Sequence, residues 1–227
     1  ALLGDRFSAG GFPSRLIAIG ESAGGRSHDN DDSIFIGTHA GSGATGGDSD
    51  PPTGRTISIG YKAGISENTF THASNVNIGD MSAAFSRVNQ QSISIGTRAS
   101  FDSASNYRSV FMGHWAAISG HDIDESVCIG GFAAYKGHNI TRSCALGKSS
   151  SYSASGLLQS VSVGDVALGY ASGVDYAVCL GTYAGRHSHD HSNSIFIGYG
   201  AGHHSNGTPS TPSQGNTGLG VSALYSA

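Results

Sequence analysis

The chain has 227 residues, is 37% hydrophobic and only 12% charged, and holds 35 glycines but 5 prolines, without the every-third-residue glycine of collagen. This composition supports a folded core and excludes collagen and simple disorder, while the charged share is about half that of an ordinary globular domain. A formal net charge of −4 gives no basic footprint for nucleic acid or an anionic membrane, and no apolar run reaches the roughly 18 residues of a transmembrane helix.

In chain order, Ala1-Leu2-Leu3-Gly4 reads as the end of a strand and its glycine. With neither initiator Met nor signal peptide, the chain is expected to be a processed mature form or a fragment. At Gly20 the run Gly20-Glu21-Ser22-Ala23-Gly24 matches the G-x-S-x-G nucleophile elbow of α/β-hydrolases. The match is a by-product of repetition: GTHAG, GYKAG, GTYAG and GYGAG recur in the same phase, with His39, Lys62, Tyr183 and Gly200 in place of Ser22. No acid, base and nucleophile converge elsewhere, so no enzyme is expected. The acidic run Asp29 to Asp32 has the charge for Ca²⁺ but lacks the spacing and glycine of an EF-hand loop.

The unit S-[IV]-x-[ILMV]-G-x-x-A then appears as SIFIGTHA from Ser33, SISIGTRA from Ser92, SVFMGHWA from Ser109, SVCIGGFA from Ser126 and SIFIGYGA from Ser194. From Gly79 its glycine falls every 17 residues, at Gly96, Gly113, Gly130, Gly147, Gly164, Gly181 and Gly198. Two inserts, 41–55 and 203–215, are rich in Gly, Ser, Thr and Pro and are expected as surface loops.

A fixed period of this length marks a solenoid, whose units bury their apolar faces only by stacking. Helix is excluded by the glycine, the serine and the β-branched residues at period two. The triplet before each glycine is predicted to be a short strand with its two aliphatics inward, and the Ala three after the glycine to fill a tight corner. Weaker apolar positions follow five after the glycine (Ile65, Phe101, Ile118, Tyr135, Tyr152) and ten after it (Ile123, Ile140, Leu157, Val174). The expected fold is all-β, a parallel β-solenoid of about 13 turns forming one domain over 1–227, a rod on the order of 60 Å long. Its ends are expected to expose strand edges that recruit other chains.

Stacking turns residues of equal phase into columns. The Ser four before each glycine reads as a turn ladder satisfying backbone groups, or as a row of O-glycosylation sites. The position two before the glycine is expected to face outward and to be covered by another subunit; it carries Phe35, Phe111, Cys128, Cys179 and Phe196. Cys144 is expected in the core, and no intrachain disulfide is implied. Trp115, Phe132, Tyr183 and Tyr199 form a candidate ligand-binding rim just after the glycines, suited to sugars. His187, His189 and His191 are candidate ligands for Zn²⁺ or Ni²⁺; no other cofactor is suggested. Sequons stand at Asn139 and Asn206.

The S-V/I-x-I-G-x-x-A unit resembles the head repeats of YadA-type trimeric autotransporter adhesins and the N-T-F-I-G-Y-x-A-G repeats of phage tail fibres, over essentially the whole chain. The resemblance implies a β-roll that associates as trimers and binds host surface ligands. This chain differs in its longer period, and no neck, stalk or anchor is expected within these 227 residues. Two functions are expected. One is an extracellular, non-enzymatic fibre at a cell or virion surface that self-assembles, as a stacked filament or trimeric fibre, and mediates attachment. The other is a receptor- or glycan-binding segment of a phage tail fibre. Copies of the chain and a surface glycan or receptor are the expected partners.

Overall fold

The computed structural model describes residues 16–25, 32–43, 55–65, 72–205 and 213–225. The Gly4 turn, most of the acidic run, Asn206 and the middle of both expected loops lie outside them.

Strands are short because a glycine closes each triplet and turns the chain. The fold is all-β, a parallel β-solenoid with no helix among the described residues. The chain divides into two compact units, Ala1–Ser119 and Gly120–Ala227. The first contains β1 (Ile17–Ile19), β2 (Ile34–Ile36), β3 (Ile57–Ile59), β4 (His72–Ala73), β5 (Val76–Ile78), β6 (Asn89–Gln90), β7 (Ile93–Ile95), β8 (Asn106–Tyr107) and β9 (Val110–Met112). Here β1, β2, β3, β5, β7 and β9 pair in that order as one parallel ladder, and β4, β6 and β8 as another.

The second unit contains β10 (His121–Asp124), β11 (Val127–Ile129), β12 (His138–Thr141), β13 (Cys144–Leu146), β14 (Ser155–Leu158), β15 (Val161–Val163), β16 (Ser172–Asp175), β17 (Val178–Leu180), β18 (His189–Ser192), β19 (Ile195–Ile197), β20 (Ser213–Gln214) and β21 (Thr217–Leu219). Its odd-numbered strands pair in sequence as one parallel ladder and its even-numbered strands as the other. Longer steps change no column: Ile34 still faces Ile57, and Ile195 faces Thr217. Three second-ladder strands in the first unit and six in the second mark the turns that carry both strands. The expected count of about thirteen also includes the Gly4 turn and those of β1, β2 and β21, where only the first strand falls among the described residues.

The triplets alternate as expected, but their faces are reversed. The residue two before the glycine points inward, and Phe35, Phe111, Cys128, Cys179 and Phe196 are at most 1% exposed. The flanking aliphatics point outward, leaving Ile17 50%, Ile129 38% and Ile195 40% exposed. These five inward residues are therefore core, not a subunit interface. Cys144 sits half-buried on the outer side, while Cys128 and Cys179 are interior. A period of two fixes that neighbours face opposite ways but not which set is inside. The parity is set by the serine column, which must be interior to reach the backbone of adjacent turns.

That column is buried, and its hydroxyls bridge turns. The Ser143 N–H donates to Ser126 Oγ at 3.1 Å, the Ser160 N–H to Ser143 Oγ at 3.1 Å and the Ala177 N–H to Ser160 Oγ at 3.3 Å. Each hydroxyl also donates to a carbonyl two residues back, as Ser126 Oγ does to Asp124 at 2.8 Å. Burial removes these serines as glycosylation sites in the folded chain. The corner alanines, Ala63, Ala99, Ala133, Ala167 and Ala184 among them, are fully buried as expected.

The interiors of the two units differ. In the first, buried Asn and Ser form a network: Asn106 Nδ2 donates to Ser103 Oγ at 2.9 Å, Asn89 Nδ2 to Ser100 Oγ at 3.2 Å, and Ser100 and Ser103 share a bond of 2.7 Å. In the second, the corresponding second-ladder column is Ile123, Ile140, Leu157 and Val174, all buried, followed by buried His191, which pairs in register with Ser213.

Candidate functional site

Corners carry most of the outward aromatic side chains, with Tyr107 on β8 an exposed exception on a strand. After each glycine the backbone alternates through left-handed positions two, four and six residues on, as at Val166 (φ 57°), Leu168 (φ 50°) and Tyr170 (φ 58°). Side chains there cost about 1–2 kcal/mol of strain each. Stacking offsets it, because the corner amides ladder like strands: Ser149 N–H donates to Gly131 O at 2.8 Å, Val166 to Lys148 at 3.0 Å and Tyr183 to Asp165 at 2.9 Å.

The expected rim residues do not converge on one site. Trp115, in the first unit, stacks on His114 at 5.1 Å and lies under the Arg98 guanidinium at 5.9 Å. In the second unit Phe132 packs edge-on against Tyr135 at 5.8 Å, and Tyr183 edge-on against Tyr199 at 5.6 Å. What sequence reasoning missed is the aromatic stack beside them. Tyr135, Tyr152, Tyr170, His187 and His204 follow one another with centroid separations of 5.0, 5.3, 5.0 and 4.8 Å. Tyr135 and Tyr152, two of the weaker apolar positions five after the glycine, sit half-buried on the outside. Their recurrence at repeat spacing was the available signal.

Beside this stack a cavity of about 210 Å³ is lined by Ser149, Tyr152, Val166, Tyr170, Tyr183 and Arg186. The Arg186 guanidinium lies over Tyr170 at 5.7 Å and Tyr183 at 5.3 Å. Its Nε is buried without a hydrogen-bond partner among the described residues. Burial raises the Tyr152 phenol pKa, with Tyr170 and Tyr135 adding to the shift.

The three candidate metal ligands point apart. His187 stands in the aromatic stack, and its pKa is lowered by burial and then by Arg186. His189 shares a 2.8 Å bond with Ser172 Oγ through Nδ1. His191 is buried edge-on against Phe196 at 5.6 Å, with its Nδ1 3.3 Å from Asn216 Nδ2 and its pKa lowered by burial, a shift opposed by a backbone hydrogen bond at Ser205. Among the described residues no three His, Cys, Asp or Glu side chains group as a metal site. Ser22 occupies the same left-handed corner position as His39 and Lys62. The Cys128 thiol pKa is pushed up to about 12 by burial, with Cys144 adding to it.

The second candidate surface is the outer face of the ladder built from the strand triplets before the glycines, in each unit. In the first unit it carries Ile17, Ile19, Ile93 and Met112, and in the second Ile129, Ile195, Ile197 and Leu219, all exposed. Every residue flanking the inward position on these strands is uncharged. The fold and these surfaces define a β-solenoid with an aliphatic sheet face and an aromatic corner face. No protein-family model matches the sequence, and no curated protein matches it.

Proposed function

We propose that the chain is a non-enzymatic building block of an extracellular fibre, which associates with copies of itself through the aliphatic sheet face and mediates surface attachment. The observation that carries this reading is the bare outer face of a parallel ladder. Parallel sheets are almost always covered on both sides, and soluble monomers rarely expose contiguous apolar patches beyond a few hundred Å². A second copy is the fitting cover, because its columns repeat at the same ladder spacing and neither face carries charge to desolvate. The resemblance to adhesin heads and tail-fibre repeats supports the same reading.

Sedimentation of the full chain tests it. Discrete oligomers or filaments are expected, and Ile93→Glu with Ile129→Glu should release monomers with an unchanged β-signal. A wild-type chain that stays monomeric at high concentration refutes assembly. The exposed aromatic corners favour the second reading, a glycan- or receptor-binding tail-fibre segment, because association through the sheet face leaves those corners free.

A further inference from the structure

We propose that the pocket between Tyr152 and Arg186 binds one hexuronate ring of a glycan, with the sugar against the tyrosine side chains and its carboxylate on the Arg186 guanidinium. The pocket exists because one column changes size. At the left-handed position two after the glycine the second unit carries Phe132, Ser149, Val166 and Tyr183, so two small side chains interrupt an aromatic ridge over two turns. The gap is walled by Tyr152 and Tyr170 on one side and by Tyr183 and Arg186 on another.

Each feature of the gap selects for the ligand. Its volume of about 210 Å³ is below the roughly 300–1,000 Å³ of drug-sized sites, which suits a single ring. The tyrosine side chains that line it give the C–H groups of a pyranose apolar surface to pack against. The phenol hydroxyls and Ser149 offer hydrogen bonds to sugar hydroxyls at the edge. The two tyrosines under Arg186 hold its fork in place, and the buried Nε has no acceptor among the described residues. A guanidinium so fixed pairs best with a carboxylate. In the chair of a β-glucuronide the carboxylate is equatorial and near the ring plane, so it reaches the arginine while the ring packs against the tyrosine side chains.

This rests on the attachment half of the proposed function, and its test is read at the pocket alone. The full chain is titrated with methyl β-glucuronide, with methyl β-glucoside as the neutral control and acetate as the carboxylate alone. Binding is followed by saturation-transfer NMR and calorimetry. The uronide is expected to bind at least about tenfold more tightly than either control, with saturation reaching its C–H protons. Arg186→Gln should lower uronide binding to the level of the glucoside. Val166→Tyr places there the ring size that Phe132 and Tyr183 already carry at this backbone position, so it should fold, fill the cavity and abolish binding. Equal binding of the uronide and either control, or a uronide signal that survives both substitutions, overturns the proposal. If the uronide fails while the protein still coats a glycan surface, the pocket is refuted and the attachment reading stands.

Discussion

Gly147→Ala tests the stacking most directly. Gly147 has φ +129°, and a Cβ there would lie 2.5 Å from the Gly164 carbonyl oxygen and 2.8 Å from its carbon, both backbone atoms of the next turn. Nothing flexible can yield, so the turns must separate by roughly 1 Å to reach ordinary contact. The backbone strain costs about 1–3 kcal/mol. Separation weakens ladder bonds such as Gly164 N–H to Leu146 O, now 2.9 Å, at about 0.5–1.5 kcal/mol each. A loss of about 3–5 kcal/mol is expected.

Gly156→Ala is the control. Its φ is +62°, and its nearest neighbour is Gly173 N at 3.4 Å. Asp122, Asn139 and Asp190 adopt φ of 55°, 52° and 53° in the same column. Only the left-handed penalty remains, about 1 kcal/mol. Chemical denaturation of the two variants side by side, with hydrogen exchange at β13 and β15, gives the difference. Equal destabilisation by the two would mean that close stacking of the glycine column is not what demands glycine there.

Phe196 and Gly202 are expected to be coupled: a Cβ on Gly202 would lie 2.5 Å from the Phe196 ring, so Gly202→Ala destabilises alone and Phe196→Cys opens a cavity alone. The double variant reproduces the Cys128 and Ala134 pair already present, and denaturation should show it at least about 1 kcal/mol more stable than the sum of single effects implies. Acid is expected to loosen the turns around β18 and β19. His187, His191 and His203 all have lowered pKa in the fold, so the unfolded chain binds more protons below about pH 6.5 and stability falls as pH drops from there toward the folded values. Buried His191 contributes at most about 1.4 kcal/mol per pH unit. Hydrogen exchange at pH 7.5 and 5 should show the loss at β18 and β19 and not at β13 or β15, whose turns carry no histidine.

The repeat, the strand triplets, the corner alanines and the parallel stacking were legible in the sequence, because a 17-residue glycine period with period-two alternation admits few other folds. The facing of the triplet was not, since hydrophobicity alone favours two isoleucines inside over one serine. The resolving signal was volume compensation within a turn. Phe35 is matched by Gly41, Phe196 by Gly202 and Cys179 by Gly185, whereas Ser162 is matched by the large Leu168. Residues six apart that trade volume must share an interior, and no outward position needs such a match. The Tyr152 pocket was illegible for a related reason. It depends on a one-residue shift, from Tyr152 five after its glycine to Tyr170 six after, which only the left-handed corner makes continuous.

The inversion also bears on why the outer face should be covered. A core with one inward side chain per strand, partly polar in the first unit, supplies little apolar burial in either unit. Full burial of an aliphatic side chain contributes about 1.5–3 kcal/mol, so each one left about half exposed forgoes roughly half of that. Four exposed residues in each unit give a second copy several kcal/mol to recover against an association cost of about 4–15 kcal/mol, which makes association depend on concentration and on the whole face. Cys144 reports on this directly, for it replaces an aliphatic residue on that face and is half-buried, while Cys128 and Cys179 are inside. A thiol reagent should therefore label one cysteine of three in the Ile93→Glu, Ile129→Glu protein and none in the assembled wild type, with all three reacting on denaturation. Labelling of Cys144 at the same rate in both proteins would place the contact on some other face, and labelling of Cys128 before unfolding would reverse the assigned facing of the triplet.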